Sequence, residues 1–126
     1  MDRRKSVLVV DDEAPIRRVL ELKLKNGGYE VFLAEDGEAA LRIIEGEKPD
    51  AVITDINMPR MDGKQLCEAT NPLKRERTFL TIIMTARIIP DEEHWIETMK
   101  DTVFMEKPFS PSSILERVDH YFGVER

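Results

Sequence analysis

Asp11 and Asp12 follow the run Ser6-Val7-Leu8-Val9-Val10, and Asp55 follows Ala51-Val52-Ile53-Thr54. Thr85 follows Leu80-Thr81-Ile82-Ile83-Met84, and Lys107 follows Val103-Phe104-Met105-Glu106. If these runs are parallel strands of one sheet, the five polar side chains gather at one edge, where open α/β sheets bind ligands. Three carboxylates, a hydroxyl and an ammonium in one crevice suit the holding of a divalent cation and the passing of a phosphoryl group onto a carboxylate. Mg²⁺ takes oxygen ligands in near-octahedral geometry and keeps several waters, so Asp11, Asp12 and Asp55 can serve it directly or through water. Left bare, the three carboxylates would repel one another and raise at least one pKa. A cation and Lys107 relieve that cost, and both neutralise charge on a phosphoryl group in flight. The Thr85 hydroxyl can donate to a phosphoryl oxygen. One carboxylate must remain as nucleophile, and Asp55, on the central strand of the crevice, is the expected one.

The elements that must position these residues alternate along the chain. Strands are predicted at Ser6–Val10, Tyr29–Leu33, Ala51–Thr54, Leu80–Met84 and Thr102–Met105. A helix is predicted from Pro15 to Lys25, with Ile16, Val19, Leu20 and Leu24 on one face and Gly27-Gly28 as its end. The second opens at Gly37, buries Ala40, Leu41, Ile43 and Ile44, and stops at Gly46 and Pro49. The third begins near Lys64, carries Leu66 and Cys67, and should break at Asn71-Pro72, since proline costs about 3 kcal/mol in a helix interior. Lys74-Arg75-Glu76-Arg77 reads as a solvated approach to the fourth strand. A fourth helix opens at Pro90 with Trp95, Ile96 and Met99 inward. Ser110 caps the last helix, whose apolar face is Ile114, Leu115, Val118 and Phe122. Asn57 to Gly63 reads as a loop. The strands do not alternate polar with apolar residues, as expected when both faces are covered. The fold class is therefore α/β: a five-stranded parallel sheet flanked by helices on both faces.

With 126 residues the chain is expected to form a single domain, residues 1–126, with its core at about 6–122. Its hydrophobic content of 41% and charged content of 35% read as globular. The net charge of −6 argues against direct nucleic-acid binding. Cys67 stands alone, so no internal disulfide can form, which fits a reducing compartment. Met1-Asp2-Arg3-Arg4-Lys5 is basic, but Asp11-Asp12 ends the apolar stretch behind it too early for a signal peptide. No run is long enough to span a membrane, so a cytoplasmic location is expected. His94 and His120 read as surface residues without metal-ligand spacing. Met58 and Met61 are expected partly exposed beside Asp55, and Cys67 in the core.

Five motifs in order resemble the response-regulator receiver domain of two-component signalling. They are Val9-Val10-Asp11-Asp12-Glu13, Thr54-Asp55-Ile56-Asn57-Met58-Pro59, Met61-Asp62-Gly63, Met84-Thr85-Ala86 and Lys107-Pro108-Phe109. The resemblance runs from about Val7 to Phe122. It implies a flavodoxin-like (βα)5 fold with strand order 2-1-3-4-5. It implies that Asp55 is the phospho-acceptor and that Mg²⁺ is the cofactor, held by Asp11, Asp12, Asp55 and the backbone carbonyl of Asn57. Thr85 would be the switch hydroxyl, Lys107 the phosphoryl contact, and Lys107-Pro108 a candidate cis bond. Phe104, three residues before Lys107, would move into space vacated by Thr85. That motion would remodel the surface of the fourth and fifth predicted helices and the fifth strand. The implied partners are a sensor histidine kinase or histidine phosphotransfer protein as donor, and a downstream protein or output domain. Arg87 would overhang the site, and Arg87→Ala would alter phospho-lifetime more than stability. Met99-Lys100-Asp101-Thr102 and Ala86-Arg87-Ile88-Ile89-Pro90 depart from the family pattern. Gly123–Arg126 follow the last helix, which fits either a stand-alone receiver or part of a longer regulator.

Two other readings compete. A Mg²⁺-dependent phosphohydrolase with an aspartyl-phosphate would carry a second acid two residues after its nucleophile, where this chain has Asn57. A phosphorylation-independent scaffold would have no use for the acidic cluster and Lys107. The expected role is thus a signalling domain that phosphorylates and dephosphorylates itself, not a metabolic enzyme.

Overall fold

A computed structural model describes residues 4–86 and 94–126. Five parallel strands form one sheet in the order β2-β1-β3-β4-β5, the order the family resemblance implies. The strands are β1 (Ser6–Val10), β2 (Glu30–Ala34), β3 (Ala51–Asp55), β4 (Leu80–Thr85) and β5 (Thr102–Glu106). The α-helices among the described residues are α1 (Ala14–Asn26), α2 (Gly37–Glu47), α3 (Gly63–Thr70) and α4 (Pro111–Phe122). Short 3-10 turns cover Asn71–Arg75 and His94–Thr98. No helix among the described residues is long and apolar enough to cross a membrane.

The apolar runs are explained by a core on each face of the sheet. Val7, Val9, Ile53, Ile82 and Met84 pack against Leu20 and Leu24 of α1 and Ile114 and Val118 of α4. Leu8, Val10 and Val52 face the other way, onto Ala40 and Ile44 of α2, Leu66 of α3, and Phe79. Successive strand residues point to opposite faces, so a strand covered on both sides must be apolar throughout. Full burial of each large aliphatic side chain is worth about 1.5–3 kcal/mol. Helix ends follow from local chemistry. Asp36 and Ser110 accept from the backbone N–H groups of Ala39 and Ser113, and Asp62 and Gln65 form a capping box.

Several expectations shift. Tyr29 precedes β2 and joins the core, and its hydroxyl donates to the buried Asp119 at 2.6 Å. Arg126 also binds Asp119, at 2.6 Å, which holds that carboxyl below its usual range. Val19 is 50% exposed, because the core stripe of α1 is narrower than the sequence periodicity. Gly46 lies inside α2, which ends instead at Lys48 in the left-handed region (φ 51°). Leu41, Ile43, Leu115 and Phe122 are half-buried. Asn71-Pro72 does break the third helix, into a 3-10 turn. Pro90 and the start of the fourth predicted helix lie outside the described residues. Trp95, Ile96 and Met99 are half-buried, Trp95 and Ile96 on a 3-10 turn. His94 and His120 are exposed. Burial pushes the Cys67 thiol up to about 12, as befits a core residue.

The segment expected to be a solvated approach is one only in part: Arg75 and Glu76 are exposed and Arg77 is half-buried. Lys74 is only 2% exposed. Its ammonium donates to Thr81 Oγ1 (3.0 Å), to the carbonyls of Lys100 (2.5 Å) and Asp101 (3.3 Å), and to Thr102 Oγ1 (3.1 Å). It also lies over the Phe79 ring, 4.7 Å from its centroid. A charge run in sequence hides such a site, because the acceptors lie seven to 28 positions away.

Removing the lysine takes its donor from the buried Thr81 hydroxyl and from three less buried acceptors, so Lys74→Met should lower unfolding free energy by about 1 kcal/mol in urea titration; an unchanged midpoint would discount the cage. Burial holds the Lys74 pKa down at about 8, against 10.5 when solvated. Between those values the unfolded chain binds the extra proton, so this group makes stability rise with pH across that window. Unfolding midpoints measured from pH 8 to 10 should show that increment in the parent and lack it in Lys74→Met.

Candidate functional site

Strand register assembles the site. β1 and β3 are neighbours with Val10 opposite Thr54, so the next residues, Asp11 and Asp55, emerge side by side at the carboxyl edge. Asp11 and Asp55 are buried, whereas Asp12 is exposed. One carboxylate oxygen from each of the three lies within 4.8 Å of the others. Octahedral Mg²⁺ separates its oxygen ligands by about 3 Å in cis and 4 Å in trans, given bonds of about 2.1 Å. The cluster is thus near the size such an ion requires.

The hydrogen bonding of the acids is uneven. Asp11 Oδ1 accepts from the Glu13 N–H at 2.9 Å. Asp11 Oδ2 is buried with no hydrogen-bond partner. An orphaned carboxylate oxygen beside two further acids is the donor set a hard cation takes. Burial raises the Asp11 pKa; the Glu13 N–H opposes this, the charge of Asp55 adds to it, Lys107 opposes it, and Asp12 adds again.

Asp55 lies between opposite influences. Its Oδ2 accepts from the Lys107 ammonium at 2.9 Å, and its Oδ1 from the Asn57 N–H at 3.1 Å. Burial works against the charged form of Lys107, but the hydrogen bond and charge of Asp55, with Asp11 and Glu13, outweigh it and raise its pKa. Lys107 reaches Asp55 across β4, since β5 is two strands from β3. Its backbone N–H also donates to the Thr85 carbonyl at 2.6 Å, and the Lys107-Pro108 bond is cis, as the resemblance implied.

Thr85 ends β4 and is buried, one residue beyond Met84, the register partner of Asp55. Phe104 on β5 is half-buried, with its ring edge-to-face with Trp95 at 5.7 Å. Asn57 is exposed, while Met58 and Met61 are half-buried. Gly63 opens α3 directly over the acceptor strand end: a Cβ there would lie 2.7 Å from the Asp55 carbonyl oxygen and 2.8 Å from Ile56 Cα. Only glycine permits that approach. Arg87 lies outside the described residues.

Arg17 was not singled out in the sequence. Its half-buried guanidinium donates to the Asp11 carbonyl at 2.7 Å and stands 3.9 Å from Glu35. No local motif marks it, because both partners come from turns brought together by the β1–β2 pairing. An apolar groove lined by Pro15, Ile16, Val19, Leu20, Pro108 and Phe109 opens beside Lys107.

Comparison with known proteins agrees with this geometry. The family model for the response regulator receiver domain matches residues 7–119. The chain is 40% identical over 116 residues to a protein of Cyanophora paradoxa named as the probable transcriptional regulator ycf27, covering 91% of this chain and 47% of that one. It is 40% identical over 119 residues to the alkaline phosphatase synthesis transcriptional regulatory protein PhoP of Bacillus subtilis, covering 90% and 47%. The chain therefore spans about half the length of the curated relatives it matches. Among solved structures, the chemotaxis response regulator CheY4 of Vibrio cholerae superposes with a TM-score of 0.84 at 29% identity, covering 94% of this chain and 98% of that one. With its sheet order, its gathered acids and a match that takes in all five strands, this chain belongs to the response regulator receiver domain family of two-component systems.

Proposed function

We propose that the chain is a phosphorylation-controlled switch in which Asp55 accepts a phosphoryl group from a histidine kinase or histidine phosphotransfer protein. The observation that carries this reading is the placement of one Asp55 oxygen 2.9 Å from the Lys107 ammonium, with Asp11 and Asp12 clustered beside it. An Asp55 carboxylate oxygen attacks phosphorus, the bond from phosphorus to the donor imidazole nitrogen breaks, and its electron pair stays with the imidazole. Asp11, Asp12, Asp55 and the Asn57 carbonyl would hold Mg²⁺, which when bound neutralises charge on the phosphoryl oxygens. Lys107 is already poised to follow charge from the carboxylate to the phosphoryl group, and its raised pKa keeps it cationic.

Thr85 and Phe104 would read the modification. The Thr85 hydroxyl turns toward a phosphoryl oxygen and Phe104 follows, changing the surface it shares with Trp95. Such a device shifts an existing equilibrium by its differential contacts in two states. Phenylalanine fills space but offers no hydroxyl to a partner. The relatives' names point to transcription as the output of those proteins. For this chain, a net charge of −6 favours regulation through protein contacts over direct DNA binding. We read residues 1–126 as one receiver unit and as a signalling domain, not a metabolic enzyme; Asn57 stands where an aspartyl-phosphate hydrolase would carry its second acid.

Incubation with Mg²⁺ and acetyl phosphate, read by intact mass, should give one phosphoryl adduct on the parent and none on Asp55→Asn. An adduct on both would show that another side chain is the acceptor. Sustained turnover of phosphomonoesters would favour the hydrolase instead. Lys107→Ala should slow adduct formation at least tenfold, by analogy with loss of one preorganised charge-stabilising donor, and Lys107→Arg should recover part of it. Equal rates in all three would remove Lys107 from the reaction.

A further inference from the structure

Arg60 lies in the loop that runs from Asp55 to α3, and its φ of 67° is in the left-handed region. Glycine occupies that region freely, while an arginine does so at a cost. The side chain is engaged. Arg60 Nη1 donates to Asp36 Oδ2 at 2.5 Å, and its Nε stands 3.9 Å from Glu38. Asp36 is buried and also caps α2, accepting from the Ala39 N–H at 2.8 Å. Gly37, the first residue of α2, packs so closely on the loop that a Cβ there would collide with the Met61 carbonyl. The loop is therefore held on its outer side by the N-terminus of α2. On its inner side the Asn57 N–H binds Asp55 Oδ1 and the Gly63 N–H binds the Ile56 carbonyl at 2.9 Å. Asn57 is thus part of the inner anchorage, three residues before Arg60 at the outer one.

We propose that Arg60 is a positioning residue for the metal site. Tied to the Asp36 cap, it steadies the stretch of backbone that carries the Asn57 carbonyl, the group that would join Asp11, Asp12 and Asp55 in holding the ion. The inference rests on the metal reading given under Proposed function. Arg60 touches none of the three acids in this role. The Arg60 guanidinium spans from the loop to α2, which a glycine at that φ could not do.

Geometry and simple electrostatics give opposite signs. Deleting a cation near an acidic cluster should by charge alone tighten binding of a divalent ion. Loss of positioning should weaken it. Mn²⁺ is a suitable probe, with free ion counted by electron paramagnetic resonance at a temperature well below unfolding. Arg60→Gly should bind Mn²⁺ about tenfold more weakly than the parent, the loss typical of a disrupted outer shell. Relief of the left-handed strain and loss of the Asp36 bond act in opposite directions on stability, so each affinity is read well below that variant's own thermal midpoint. Arg60→Lys should recover part of the affinity. Asp36→Asn with Arg60→Gly should be no weaker than Arg60→Gly alone, because the two act as one pair. Affinity in Arg60→Gly equal to or tighter than the parent, or additive losses in the double variant, would overturn the proposal. A parent that binds no Mn²⁺ would overturn the metal reading itself, a result distinct from variants that bind as the parent does.

Discussion

The carboxyl edge of the sheet concentrates negative charge in a small, partly dry volume, and the ion pair between Lys107 and Asp55 makes that concentration tolerable. Two unit charges 4 Å apart interact by about 4 kcal/mol at the effective dielectric typical of a protein surface. Three acids within 4.8 Å of one another therefore cannot all be ionised cheaply without compensation. Lys107 supplies one positive charge from β5, two strands away, by extending over the end of β4. Burial is the main reason the Asp11 carboxyl lies above its usual range, the charges of Asp55 and Asp12 add to it, and its Oδ2 has no hydrogen-bond partner. The three acids form a cluster that could hold a cation.

This arrangement depends on a frame that cannot slip. β1, β3 and β4 are buried on both faces, so a change of register by one residue would exchange the two cores. At the opposite edge of the sheet the Lys74 ammonium joins the turn after α3 to the first residues of β4 and β5. Tyr29, Asp119 and Arg126 link the start of β2 to α4. Apolar packing fixes the strands face to face, and these buried polar ties fix the ends of the helices and turns.

The same strand ends are joined to one another through the backbone. The Lys107 N–H is bonded to the Thr85 carbonyl, so the backbone that presents the ammonium is continuous with the backbone that presents the hydroxyl. Phe104 lies on β5, three residues before Lys107, and its ring abuts Trp95. The end of β4 at Thr85, the ammonium that pairs with Asp55 and the Phe104 ring are thus joined through β5 and the residue that follows it.

What the sequence determined by itself was the strand pattern and the chemistry at the strand ends. Apolar runs without alternation require a doubly covered parallel sheet, and the side chains that stop them, Asp11, Asp55, Thr85 and Lys107, must then share an edge. Helix punctuation was legible for the same reason, since Pro15, Ser110 and Asn71-Pro72 act through their own backbones. Tertiary structure alone decided which charged residues are solvated. Lys74 sits in a run of charges yet is buried, Val19 lies on an apolar stripe yet is exposed, and Arg17 and Arg60 brace turns that no motif joins to them. Lys74, Arg17 and Arg60 each have a partner distant in the chain, Thr102, Glu35 and Asp36 respectively, brought close by strand order and crossovers. Local periodicity carries no information about such partners, because the energy of a buried charge is set by the dipoles that surround it and not by its neighbours in sequence.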